Sequence, residues 1–98
     1  MNIQAMMKQA QKLQKDMMSE KEKIDKTEYV GTSSFVTVTV MGDKKVKSIK
    51  IDSKNIEEDE IEMLEDMIVV AINNALNQID QDTEKKLGKY TQGLPGLF

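Results

Sequence analysis

Five lysines near the start of the chain, Lys8, Lys12, Lys15, Lys23 and Lys26, share a spacing that gathers charge. On a helix, at about 100° per residue, they fall within roughly 80° of arc, nearly opposite a seam of Ile3, Ala10, Met17 and Ile24. A lysine ammonium is a compact point charge on a flexible stem, so the chemistry open to such a column is holding anions by charge. A charged helix face is most often plain solvated surface. This one stands out because it carries no acid of its own. Asp16, Glu20, Glu22 and Asp25 lie on its flanks, where i, i+4 pairing is available without neutralising the centre. Lys85, Lys86 and Lys89 form a second group near the other end, and Lys44, Lys45, Lys47, Lys50 and Lys54 a third.

All 14 basic residues are Lys, and Arg, His, Cys and Trp are absent. Thiol nucleophiles, disulfides, imidazole bases and ordinary zinc sites are thereby excluded. Only carboxylates and lysines remain as catalysts, and no spacing singles out a pair, so the expectation is a non-enzyme with no cofactor. The acids Glu57, Glu58, Asp59, Glu60 and Glu62 crowd what reads as a helix start, where carboxylates complement the helix dipole. They lack the glycine and alternating ligands of a calcium loop, so no metal site is expected, and the patch is instead a surface open to a protein partner. No apolar run approaches the roughly 18 residues of a membrane span, and no basic-then-apolar leader opens the chain; a cytoplasmic protein without membrane contact is expected.

These residues must be positioned by three kinds of element. Phe35 to Val40 alternates β-branched side chains, Met41-Gly42-Asp43-Lys44 supplies a tight reversal, and Val46 to Ile51 resumes the alternation: a β-hairpin. Val36, Val38, Val40, Ile49 and Ile51 are the expected helix-packing face, with Phe35, Thr37, Thr39 and Met41 opposite. Lysines on its edge discourage strand-to-strand aggregation. Thr27 to Thr32 reads as a third strand, since two alone are marginal. Ile3 to about Lys26 lacks Gly and Pro and reads as one helix; about Glu58 to Lys89 reads as another, with a stripe of Ile61, Leu64, Ile68, Ala71, Ile72, Ala75 and Ile79 and a second strip of Met63, Met67 and Val70. One partner cannot cover both strips. Rods of about 35 and 45 Å do not fit a compact domain with a radius of gyration of about 13 Å, so at least one helix must project. The expected architecture is α+β in a single domain, 1–98: a long N-terminal helix, a three-stranded antiparallel sheet and a long C-terminal helix. Residues 90–98 form an aperiodic tail, and at 98 residues a homodimer with projecting helical arms is a reasonable default.

Several fragments also coincide in order and spacing: Met7-Lys8-Gln9-Ala10-Gln11-Lys12-Leu13-Gln14, Val36-Thr37-Val38-Thr39-Val40-Met41-Gly42, Met63-Leu64-Glu65-Asp66, Ala71-Ile72-Asn73-Asn74-Ala75 and Gly93-Leu94-Pro95-Gly96. Together they closely resemble the YbaB/EbfC family of bacterial nucleoid-associated proteins over nearly the whole chain. The resemblance implies a homodimer shaped like tweezers that binds double-stranded DNA and organises or regulates the chromosome without catalysis. It places the DNA-contacting surface on the helical arms, which here maps onto Lys8, Lys12, Lys15, Lys85, Lys86 and Lys89. The chain departs from the family pattern at Ser33-Ser34, where a Gly pair is usual, and in being acidic, with net charge −3 and no Arg. Its charge is segregated, however: residues 1–26 carry +2 (six Lys, four acids), 43–54 carry +3 (five Lys, two acids) and 57–66 carry −7 (seven acids, no Lys). The eight Met residues offer another reading, a protein-interaction or holdase-like module whose arms clasp a partner through soft side chains.

Overall fold

The computed structural model describes residues 2–91, with side chains to Tyr90. The first helix, α1, spans Ile3–Asp25, and Asn2 caps it: its Oδ1 accepts from the Gln4 amide at 3.0 Å and the Ala5 amide at 3.4 Å. That satisfies two of the four amides a helix start leaves open. Three strands follow, β1 (Glu28–Ser33), β2 (Val36–Met41) and β3 (Val46–Ile51), in an antiparallel sheet of order β1-β2-β3. A single 3-10 turn, Glu58–Glu60, leads into α2, Ile61–Thr91. The α+β architecture expected from the sequence is thus the one observed. The second helix is not aperiodic from residue 90, because Tyr90 and Thr91 continue it; the rest of the expected tail, 92–98, lies outside the described residues.

Alternation in β2 sets the core. Val36, Val38 and Val40 are fully buried, while Thr37 and Thr39 on the other face are half-buried. Against the valines lie Ala71, Ala75 and Ile79 of α2, all essentially inaccessible. Burying each valine side chain contributes roughly 1.5–3 kcal/mol. The helix comes this close because its contact residues are small and because Gly31 of β1 has no side chain: a Cβ there would collide with the backbone of Ala71 and Ala75. Gly42, in the β2–β3 turn, plays the same part for α1, since a Cβ there would run into the Ile24 carbonyl. The Gly42 amide also donates to the Thr27 carbonyl at 3.0 Å, tying the hairpin to the end of α1.

Two expectations about the sheet are corrected. The register places Ile49 beside Val38 and Ile51 beside Val36, on the face the helix uses, but α2 packs mainly across β1 and β2. Ile49 and Ile51 therefore stay exposed, and β3 has no buried residue. Phe35, expected on the opposite face, sits in the β1–β2 turn and packs against the core cluster.

The chain extends over 71 × 20 × 14 Å, with a radius of gyration of 19.3 Å. Projection is real, and α1 supplies most of it. Its C-terminal end is anchored by Ile24, which is buried, and by Met17, which packs against the core; the side chains of residues 2–16 are all exposed. α2 also outruns the sheet, but its last turns stay with the core. Leu87 is buried and Tyr90 packs beside it, in one cluster with Ile24 and Met17 of α1.

Candidate nucleic-acid interface

The lysines on α1 divide along its length. Towards the sheet, Lys21 pairs with Asp25 at 3.3 Å, Lys23 with Glu20 at 3.5 Å and Lys26 with Glu22 at 3.1 Å. Towards the free end, Lys8, Lys12 and Lys15 are exposed, and among the described residues no carboxylate lies within ion-pair distance of them. The acids flanking the column thus serve its inner half and leave the outer half positive. Spacing is the cause: the first acid is Asp16, so among charged side chains the stretch from Ile3 to Lys15, about three and a half turns, contains cations alone.

The second group behaves differently. Lys86 Nζ lies 3.0 Å from Asp82 Oδ2, so that cation is engaged within its own helix. Lys85 is exposed and helps to hold the Asp82 carboxylate ionised from a distance. Lys89 sits over the Tyr90 ring, 5.0 Å from its centroid, where the π face attracts a cation without neutralising it. Of the six lysines singled out from the sequence, Lys86 is therefore the one already paired. The structure sets the two groups on neighbouring rods, because the C-terminal turns of α2 pack against the inner half of α1.

Those turns are held by a contact that sequence reasoning missed. Tyr29, at the start of β1, donates its hydroxyl to Asp82 Oδ2 at 2.5 Å, at the point where α2 passes beyond the sheet. Burial, with the Asp82 hydrogen bond and charge added to it, pushes the Tyr29 hydroxyl up to about 12. The hydrogen bond from Tyr29, followed by that from Lys86, holds the Asp82 carboxyl below its ordinary value. The residues are 53 apart in sequence, and nothing local marks them as partners. Further fasteners are the Lys44–Asp80 pair at 3.2 Å, between the hairpin turn and α2, and Gln78, whose Nε2 donates to the Val30 carbonyl at 2.8 Å. Lys47 pairs with Glu28 across the sheet.

No catalytic constellation appears among these groups. Glu57, Asp59 and Glu60 bring carboxylate oxygens within 4.8 Å of one another, a hard-donor set, but they are solvent-facing acids at a helix start, stabilised there by the dipole. Among the described residues no helix is long and apolar enough to cross a membrane. What the arrangement offers chemically is an elongated, locally positive rod on an acidic protein.

Comparison with known proteins identifies the family. The family model described as the YbaB/EbfC DNA-binding family matches residues 1–94. A nucleoid-associated protein of Lactobacillus acidophilus is 51% identical over 96 residues, covering 96% of this chain and 86% of the relative. One from Lactococcus lactis subsp. cremoris is 50% identical over 97 residues, 97% of this chain and 98% of the relative. One from Enterococcus faecalis is 41% identical over 98 residues, 98% and 94% respectively. The chain belongs to the YbaB/EbfC DNA-binding family of nucleoid-associated proteins.

Proposed function

We propose that the protein binds double-stranded DNA as a homodimer, mainly through lysine–phosphate contacts, and serves in the nucleoid to organise or regulate the chromosome without catalysis. The observation that carries this reading is the unpaired cation column Lys8, Lys12 and Lys15 on the projecting outer half of α1. Potential near a surface is set by charges within a Debye length of about 8 Å, so a net charge of −3 does not prevent a local positive rod from meeting a phosphate backbone. Lys85, Lys86 and Lys89 extend the contact onto α2, with Lys86 contributing only as far as it leaves Asp82. Base discrimination most often uses Arg forks on guanine, and this chain has none, so binding depends weakly on sequence.

The acidic stretch Glu57, Glu58, Asp59, Glu60 and Glu62 lies roughly 30 Å along α2 from Asp82 and so does not crowd the proposed phosphate contacts. It is the surface left for a protein partner. A second reading has its own observation: Ile3, Met6, Met7, Leu13 and Met18 are all 47–71% exposed, an apolar stripe able to clasp a protein.

One pair of variants separates the two readings. Lys8→Glu with Lys12→Glu abolishes the mobility shift of duplex DNA at low salt if the lysines carry binding, while Met6→Gln with Met7→Gln leaves it intact. The opposite pattern, with DNA retained by the charge-reversed protein, would transfer the function to the methionine stripe.

A further inference from the structure

The apolar face of α1 continues past the point where α2 stops covering it. Gly31 lies against Ala71 and Ala75, and Tyr29 bonds to Asp82, so α2 runs antiparallel to β1 and leaves the sheet at the end where α1 enters. From Asp82 to Thr91 it travels about 14 Å further, alongside the inner half of α1. Tyr90, in its last described turn, joins the same cluster as Met17, and Met17 is the outermost α1 side chain that is not exposed. Counted at about 100° per residue, Ile3, Met6, Ala10 and Leu13 all lie within roughly 40° of Met17. The stripe against which α2 packs therefore runs on to the tip of α1, uncovered among the described residues. A stretch of about 14 residues is marginal as an isolated helix in water, so this outer half needs packing on its apolar side.

We propose that residues 92–98 of the same chain, which lie outside the described part, continue along this stripe towards Ile3 and cover it. Length and chemistry select this occupant. Gln92-Gly93-Leu94-Pro95-Gly96-Leu97-Phe98 begins where α2 ends, and it carries three large apolar side chains and no charged one, in a chain with 32% charged residues. Pro95 disfavours further helix, and the two glycines allow a close approach. Extended, seven residues reach at most about 25 Å, and the open stripe from Asp16 to Ile3 is about 20 Å long. Leu94 and Leu97, about 10 Å apart in an extended chain, match Leu13 and Met6, about 10 Å apart along the helix. The cover closes the methionine stripe to outside partners. It leaves Lys8, Lys12 and Lys15 clear, since they lie roughly 140 to 180° around α1 from Met17. The proposal is independent of DNA binding and of dimerisation.

The chain has no cysteine, so an introduced pair reports the contact without background. Met6→Cys with Leu97→Cys, oxidised at low protein concentration, is expected to form a disulfide within one chain, read by non-reducing electrophoresis and peptide mass. Gln4→Cys with Leu97→Cys places the first thiol roughly 160° around the helix and is expected to cross-link far more slowly. A second measurement needs no cross-link. In the cysteine-free chain, Leu94→Ser with Leu97→Ser is expected to speed amide exchange in residues 6–16 by about tenfold or more, the loss of at least one buried leucine, and to leave β2 unchanged. Equal cross-linking of the two cysteine pairs, or unchanged exchange in the serine variant, overturns the proposal. A disulfide that forms only between copies overturns the placement within one chain.

Discussion

A single hydroxyl ties β1 to α2 across 53 residues of sequence. Tyr29 holds Asp82 at 2.5 Å, and Asp82 in turn holds Lys86. Asp82 is depressed below its ordinary value, so its stabilisation is present above the unfolded-state value near pH 4 and disappears as pH falls through the folded value. Tyr29 is raised to about 12, so its contribution is intact below about pH 10 and is lost as the hydroxyl ionises between about 10 and 12. Tyr29→Phe is expected to cost about 1–2 kcal/mol near neutral pH, measured by urea unfolding, and to flatten the decline in stability between pH 10 and 12. Gly42→Ala is a harsher change, because the new methyl meets the Ile24 backbone, not a side chain that can swing aside. A loss of about 3 kcal/mol or more is expected. Ser34 holds a left-handed φ of 52° in the β1–β2 turn, a conformation that glycine adopts at no steric cost. Ser34→Gly should therefore stabilise the protein by about 0.5–1 kcal/mol.

Elements were legible in the sequence wherever periodicity is local. The run Val36, Val38, Val40 and the absence of Gly and Pro from Ile3 to Lys26 sufficed for β2 and α1, and the turn chemistry of Met41-Gly42-Asp43-Lys44 for the hairpin. What could not be read was which strand a helix would cover. β3 alternates as β2 does, and only the placement of α2 over β1 and β2 leaves Ile49 and Ile51 open. Leu87 was missed for a related reason. It lies about 120° from the Ala71/Ala75 stripe, because α2 changes partners from the sheet to α1 after Ile79. The Thr83, Leu87, Tyr90 spacing was the available signal. Ile79→Ala, where α2 still faces the sheet, should cost about 2–5 kcal/mol. The candidate site was legible as a column of lysines but not in its division, since i, i+4 spacing permits ion pairs without showing which form. On that division, Lys15→Gln should weaken DNA binding more than Lys86→Gln, whose cation is partly spent on Asp82. Equal losses in a mobility-shift titration would mean that the ion pair opens freely.

At the scale of the molecule, an acidic protein meets DNA by keeping its charges apart. Paired lysines line the part of α1 nearest the sheet, unpaired ones its outer half, and the −7 stretch lies at the start of α2. The 71 Å length makes the separation effective, being many times a Debye length of about 8 Å. The most direct measurement is affinity for duplex DNA as a function of salt. If a dimer engages about six phosphates, log K falls against log salt with a slope near −5, and each lysine contact removed makes the slope shallower by about 0.9. Replacing Lys8 and Lys12 by Gln in both copies should bring the slope to about −2. A wild-type slope near zero, or an unchanged slope in the substituted protein, would contradict the assignment of phosphate contacts to the outer half of α1.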